Sequence, residues 1–287
     1  MIYIVNLSGG LTSEEALDRS IERYGKASTV ALFADTRTED ADLYRFLDDI
    51  ERYYGIPINR VADGRDVFQV WHDRRLISMG RIAPCSEVLK RQPCDRWVKE
   101  HYAGAEYTRV FGYEALEVDR MERLAAELAP VPTWFPLVER PYVDKCHIAA
   151  KLESRGIAVP FLYTQGFEHN NCGGGCVKAG QAHWAHLWLT LPERYLLWEA
   201  KEEDFREYVA KDVSILKDRR GGEVKPLTLR EFRERLERGE SYDQHDRGGC
   251  GCFAPESQRQ TRMDDLLLEV EVVPKRKGAR IIPVQAV

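Results

Sequence analysis

Short apolar runs alternate with stretches of helical periodicity through the first half of the chain. That alternation narrows the choice of architecture to a mostly parallel sheet wrapped by helices on both faces, a Rossmann-like α/β fold. Residues 1–7 read as a buried strand, and residues 29–34, 58–61 and 109–111 as three more. Ala16, Leu17, Ile21 and Tyr24 mark one helix face, which Gly25 can end. Leu43, Phe46, Leu47 and Ile50 set a second, stopped by Gly55 with Pro57 just beyond. Leu124 and Leu128 predict a helix closed by Pro130 and Pro132, and Ile148 and Leu152 one that ends at Gly156.

At 287 residues and 44% hydrophobic, the chain is long enough to bury a full α/β core and carry an appended subdomain. A net charge of −5 leaves no global basic footprint, so a nucleic-acid partner would have to be held by a local patch. No run approaches the ~18 apolar residues of a membrane span, and no membrane partner is expected. The first strand begins at once, without a basic lead-in or a small-residue cleavage site, which predicts a cytoplasmic protein. In that reducing compartment the seven cysteines read as thiols or metal ligands rather than disulfides.

The second half changes character. Residues 166–190 bring Gly, Asn, Cys, His and Trp together, and Pro192 suits the first turn of a long charged helix. Thr228 and Glu231 form a capping box for another helix running to Gly239. A polar loop carries Cys250 and Cys252, and two strand-like runs, 266–273 and 281–284, can pair across Lys275-Arg276-Lys277-Gly278. A soft boundary near residue 165 divides a nucleotide-binding part, 1–165, from a cysteine-rich subdomain, 166–287, with one shared interface.

Between the first strand and the first helix stands Ser8-Gly9-Gly10-Leu11-Thr12-Ser13. Glycines let backbone bend close to an anion, and a helix N-terminus offers N–H groups and the positive end of a dipole. Ser8 and Ser13 can add hydroxyl donors. The same letters also fit a tight turn with Thr12 and Glu15 as a capping box.

The order of several further motifs adds to this. Ser8 to Ser13 resembles the SGGxDS loop of PP-loop proteins, which grips the phosphates of an adenine nucleotide. Phe33-Ala34-Asp35-Thr36 is similar to the segment closing the second strand of phosphoadenosine phosphosulfate reductase-like proteins. Cys85-Ser86-Glu87-Val88-Leu89-Lys90 resembles their C-S-x-x-L-K element, and Gly112, Glu117 and Arg120 their G-x(4)-E-x-x-R pattern. Pro136-Leu137, Pro160, Leu162-Tyr163 and Gly166 follow in the same order. The resemblance spans roughly residues 2–180 and is nearest to phage-borne reductase-like members, or adenine nucleotide α-hydrolases. It implies ATP or a related adenine nucleotide with Mg²⁺, held by Ser8, Gly9, Gly10, Thr12, Ser13, Asp35, Thr36, Ser86, Lys90, Gly112, Glu117 and Arg120. Ser8, Thr12, Lys90 and Arg120 would carry the chemistry. Thr12 stands where the loop usually has Asp, and a hydroxyl is a poorer ligand for a hard cation than a carboxylate. Glu14 and Glu15, directly behind the loop, must point away from the phosphates.

Cys172-Gly173-Gly174-Gly175-Cys176 and Cys250-Gly251-Cys252 are the second strong signal. Four thiolates from two glycine-rich loops suit a Cys₄ site for zinc or an iron–sulfur cluster. Related enzymes of sulfur chemistry often hold four-iron clusters, which favours a 4Fe-4S centre, with Zn²⁺ the alternative. His169, His183 and His186 lie close in sequence and could also ligate, although His183, Trp184, Leu187 and Trp188 have the spacing of a packed helix face. Cys146 reads as a core thiol, and Cys94 has no assigned role.

Three functions follow. The first is ATP pyrophosphatase or adenylation chemistry at the α-phosphate, linked to sulfur transfer onto a nucleic-acid component or a small molecule. The ATP-pyrophosphatase subunit of DNA phosphorothioation systems is one analogy. The second is sulfonucleotide reduction, which needs a mobile cysteine near the C-terminus, whereas no cysteine follows Cys252. The third is an adenine-nucleotide-binding module without turnover, for which Thr12 speaks. A homo-oligomer is left open.

Overall fold

The computed structural model describes residues 1–78, 83–246 and 248. Five parallel strands form the sheet: β1 (Ile2–Leu7), β2 (Thr29–Asp35), β3 (Ile58–Ala62), β4 (Tyr107–Phe111) and β5 (Thr133–Trp134). Their spatial order is β3-β2-β1-β4-β5. The chain therefore winds outward from β1 in one direction, then crosses back to β4 on the other side. β1 pairs with β2 from Tyr3↔Thr29 to Leu7↔Phe33, and with β4 from Ile2↔Tyr107 to Asn6↔Phe111. The crevice between the carboxyl ends of β1 and β4 is the switch point at which open α/β sheets bind ligands.

Strand alternation distributes the core. Val5, Leu7, Ala31, Phe33 and Val110 face α1 (Leu11–Tyr24), α2 (Ala41–Tyr54) and, further along the chain, α6 (Lys145–Ser154). Ile4, Leu32 and Ala34 face Cys94 and Val98 of α4 (Gln92–Tyr102). Helices cover both sides of the sheet, as the alternating sequence pattern requires. Gly55 ends α2 in the left-handed conformation at φ 64°, returning its N–H to Glu51. The helix predicted around Leu124 and Leu128 is α5 (Val118–Leu128).

A second core joins the two halves of the sequence. α3 (Val67–Arg74) and the six-residue π-helical turn Ser86–Arg91, which runs straight into α4, pack against a helical layer from the second half. That layer holds α7 (Phe161–Thr164), α8 (Gln181–Thr190), α9 (Pro192–Val209) and α10 (Leu229–Glu237). Trp71, Trp184 and Trp198 meet at its centre, with ring centroids 5.6 and 5.5 Å from Trp198. The antiparallel hairpin β6 (Leu216–Asp218) and β7 (Lys225–Leu227) is hung from α9 by one carboxylate. Glu202, fully buried, accepts the backbone N–H of Ile215 at 2.7 Å and of Leu229 at 2.6 Å. Thr228 caps α10 by accepting from Glu231 N at 3.1 Å. Among the described residues no helix is long and apolar enough to cross a membrane. The strand-like runs 266–273 and 281–284 lie outside the described residues.

One sequence expectation is corrected. Cys146 is exposed rather than a core thiol, because α6 buries the face carrying Ile148 and Leu152, one turn apart, and Cys146 lies off that face. Cys94, for which the sequence offered no role, is a packing residue whose burial pushes its thiol up to about 11.

Behind the first turns of α1 lies a buried charge network with a pH signature. Glu14 accepts from the Tyr54 hydroxyl at 2.6 Å, while Lys151 reaches Glu15 at 2.8 Å and Asp18 at 2.5 Å. Burial, together with nearby Asp18 and Glu15, pushes Glu14 from 4.5 up to about 7 against the pull of Tyr54 and Arg155. Burial likewise raises Glu202 to about 7. A carboxyl with a raised folded pKa keeps a proton that the unfolded chain has released. Stability therefore falls as pH rises from about 4.5 to about 7, and the loss persists above that window. For Glu14 it is on the order of 3 kcal/mol. Urea denaturation at pH 5 and pH 8 should show the loss, and Glu14→Gln should remove this share while leaving that of Glu202. An unchanged pH difference in the variant would show that Glu14 is ionised in the folded protein.

Candidate functional site

Hydroxyls shape the loop that leaves β1. Ser13 Oγ donates to Gly10 O at 2.8 Å and accepts from Ser8 N and Ser8 Oγ, each at 3.1 Å. The loop is thereby braced from within, and Gly10 is the N-cap of α1 with no side-chain cap. The Thr12–Glu15 capping box does not form, because α1 starts at Leu11 and Thr12 lies inside its first turn, while Glu15 is engaged by Arg19 at 2.7 Å and by Lys151. Glu14 and Glu15 both turn away from the loop, as a phosphate cradle requires.

Three glycines matter for distinct reasons. Gly9 has φ 74°, and a Cβ there would lie 2.6 Å from Leu43, so its replacement disturbs the core as well as the loop. A Cβ on Gly10 would meet the Tyr163 hydroxyl at 2.9 Å, the group to which Leu11 N donates at 3.3 Å. At Gly112, just past β4, a Cβ would fall 2.2 Å from Thr12 O and 2.7 Å from Ser13 Cα. The β4 exit and the first turn of α1 thus touch backbone to backbone across the switch point.

Asp35 and Thr36, at the end of β2, serve the loop that follows. Asp35 Oδ1 accepts from Arg37 N at 2.8 Å and the Tyr44 hydroxyl at 2.7 Å, the bonding of a turn residue. Thr36 donates to Glu39 Oε1 at 2.9 Å. Glu39 is a residue the sequence reading missed. Its side chain is wholly buried, accepts Cys172 N–H at 2.6 Å and lies 3.4 Å from Lys90 Nζ. One carboxylate joins the end of β2, the C-S-x-x-L-K element and the first cysteine loop.

Lys90 is where the C-S-x-x-L-K element meets the first cysteine loop. Burial opposes its charge, but Glu39 and the sulfurs of Cys172, Cys176 and Cys85 together hold its pKa above the ordinary range. Cys85, at the start of the π turn, is the third cysteine near this ammonium. Its burial pushes the thiol up, against the pull of Lys90. Ser86 follows in the same turn, its N–H donating to Ala83 O at 3.0 Å.

The cysteine loop is held from several sides. Arg194 pairs with Asp40 at 2.5 Å and donates to Gly173 O at 3.1 Å. Asn170 Nδ2 donates to Gly9 O at 2.9 Å, and His183 Nε2 meets Gly174 O at 2.6 Å. Gly173 and Gly174 take φ 61° and 93°, and a Cβ on Gly175 would sit 2.1 Å from Trp198. The glycines between the cysteines are required by turn geometry and packing, a reason separate from any metal. Lys178 N donates to Cys176 Sγ at 3.5 Å.

Glu117 and Arg120 form a local unit. Glu117 accepts from Glu114 N at 3.0 Å and pairs with Arg120, whose guanidinium lies 4.6 Å over the Tyr113 ring. Through Gly112 this unit adjoins the Ser8–Ser13 loop.

No family model matches the chain, and no curated protein matches it. Among solved structures the chain is similar to phosphoadenylyl-sulfate (PAPS) reductase from Candida auris, determined as a phosphate complex. The two share 15% identity with a TM-score of 0.43, over 58% of this chain and 79% of that one.

Two tests of fit rest on the chain's own residues. For a nucleotide, the crevice has glycine-only close approaches and a helix N-terminus. Beside the loop, Asn170, which donates to Gly9 O, keeps a buried Oδ1 without a partner among the described residues, and Nδ1 of the adjoining His169 likewise has none among them. For a metal, Cys172 and Cys176 share one tight loop, but among the described residues no group of three His, Cys, Asp or Glu side chains is arranged to hold an ion. Cys250 and Cys252 lie outside the described residues.

Proposed function

We propose that the chain binds an adenine nucleotide in the crevice between β1 and β4 and acts at its α-phosphate, in chemistry coupled to sulfur. The observation that carries this reading is the meeting of two features at one place. The braced glycine loop lies against Gly112 at the switch point, and Glu39 pins the Cys172 loop to the neighbouring β2 end. The α1 N-terminus and the Ser8 and Thr12 hydroxyls would face phosphate oxygens, and Lys90 would add a positive charge nearby. Magnesium, when bound, would neutralise phosphate charge, and Thr12 would be the loop residue that helps to hold it. Cys172 and Cys176, with Cys250 and Cys252, would hold a 4Fe-4S cluster or zinc; Cys85 is a further thiol on that side.

Equilibrium binding of ATP, AMP and phosphoadenosine phosphosulfate is the direct test, joined to pyrophosphate release from Mg-ATP. Binding of ATP with pyrophosphate release supports the proposal, and Thr12→Asp is expected to raise that release. Tight binding of phosphoadenosine phosphosulfate with sulfite release would favour sulfonucleotide reduction. Failure of all three ligands to bind at millimolar concentration would overturn the reading.

A further inference from the structure

Asn170 is about as buried as the centre of the sheet, with 2% of its surface exposed, yet it uses only part of its amide. Nδ2 donates to Gly9 O at 2.9 Å. A carbonyl oxygen can only accept, so the amide orientation is fixed with its nitrogen on the loop. Oδ1 is then left as an acceptor and, among the described residues, has no donor. An unsatisfied buried acceptor is destabilising, and few native groups are left that way without a role. The neighbouring His169, 7% exposed, repeats the pattern. Its ring stacks on His183 with centroids 4.9 Å apart, and its Nδ1 has no partner among the described residues. His183 is itself fixed by its contact with Gly174 O.

We infer that Asn170 is a ligand-contacting residue of the phosphate loop, whose Oδ1 accepts a hydrogen bond from the bound nucleotide complex. This rests on the nucleotide reading above. Oδ1 needs a donor, and an ionised phosphate has none. The donor is therefore a hydroxyl or amine of the nucleotide, or a water on its magnesium ion. Asn170 reaches the loop across 161 residues of sequence, so the cysteine segment takes part in nucleotide recognition directly.

Asn170→Leu keeps the branched shape in a somewhat larger side chain and removes both polar atoms, the donor to Gly9 O included. Thermal unfolding and calorimetric titration with ATP, each with and without Mg²⁺, and with deoxyribose analogues, make the test on the full chain. The ligand role predicts an unliganded midpoint near that of wild type, because the unpaired Oδ1 acceptor disappears at the same time as Gly9 O loses its donor. It also predicts affinity at least tenfold weaker and a smaller nucleotide-induced shift. A defect that vanishes without Mg²⁺ assigns the donor to metal-bound water, whereas one that vanishes with a deoxyribose analogue assigns it to that hydroxyl. Wild-type binding that Asn170→Leu leaves unchanged would overturn the inference, as would a variant whose unliganded stability collapses while its affinity holds. If wild type binds no adenine nucleotide, it is the underlying reading that fails.

Discussion

Gly112→Ala is expected to weaken adenine-nucleotide binding by about tenfold or more and to cost about 1–3 kcal/mol of stability. The added methyl would stand 2.2 Å from Thr12 O and 2.5 Å from Thr12 C, with Ser13 Cα at 2.7 Å. All three are backbone atoms, so no side chain can swing aside. Either α1 moves back from the crevice, taking the Ser8–Ser13 brace with it, or β4 withdraws from β1. Both open the cradle where phosphate would sit, and a misplacement near 1 Å is costly in such sites. Gly104, next to which a Cβ meets nothing within 4 Å, is the control glycine, although its positive φ carries strain of its own. Titration of both variants with ATP, alongside denaturation curves, separates lost binding from lost folding. Wild-type affinity in Gly112→Ala would show that the loop does not carry the ligand.

Glu39→Ala is expected to have the second large effect. The variant leaves Cys172 N–H without its acceptor and Lys90 without its nearest counter-charge. Bonds to an ionised group of this kind contribute about 1.5–3 kcal/mol each. Lys90 is about a third exposed, so the ion pair itself is screened and adds less. Hydrogen exchange should show residues 170–178 losing protection while β1 and β2 keep theirs. Glu39→Gln, which can still accept from Cys172 N–H, should recover much of the loop's order without restoring the charge beside Lys90. Equal loss of protection across loop and sheet would mean that Glu39 supports the fold as a whole rather than the cysteine loop.

What could be read from the sequence was largely what neighbours in sequence decide. The first four strands, α1, α2, α6, α9 and α10 follow from apolar spacing and from caps such as Gly55 and Thr228. α3 was missed although Asp66 and Gln69 form a reciprocal capping box and Val67, Phe68, Val70 and Trp71 share one face; eight residues are barely two turns, too few for the period to stand out. β5, β6 and β7 are two or three residues long, too short for alternation to register. The site divides in the same way. Ser8 to Ser13 and Gly112 were legible because a glycine loop between a strand and a helix is a local pattern. Glu39 and Asn170 were not, since their partners lie 133 and 161 residues away. The convergence of Cys85 with Cys172 and Cys176 on Lys90 depends on a π turn, which apolar periodicity does not reveal. Asp35 looked like a ligand from its place at a strand end, and its bonds to Arg37 and Tyr44 are those of a turn.

The shared aromatic core also sets an order of events during synthesis. Phe68, Trp71, Val88 and Leu89 leave the ribosome well before Trp184, Trp198, Phe205 and Phe232, the groups that cover them. Domains tend to fold from the N-terminus as they emerge, and here β1, β2 and β3 can pair while α3 still shows its tryptophan to water. The nascent chain thus passes through a stage in which a formed sheet carries an uncovered apolar flank. That flank closes only when α8 and α9 have been made, after the segment that ties the cysteine loop to Gly9. A ribosome-stalled chain ending before residue 180 would be a ready client for holding chaperones.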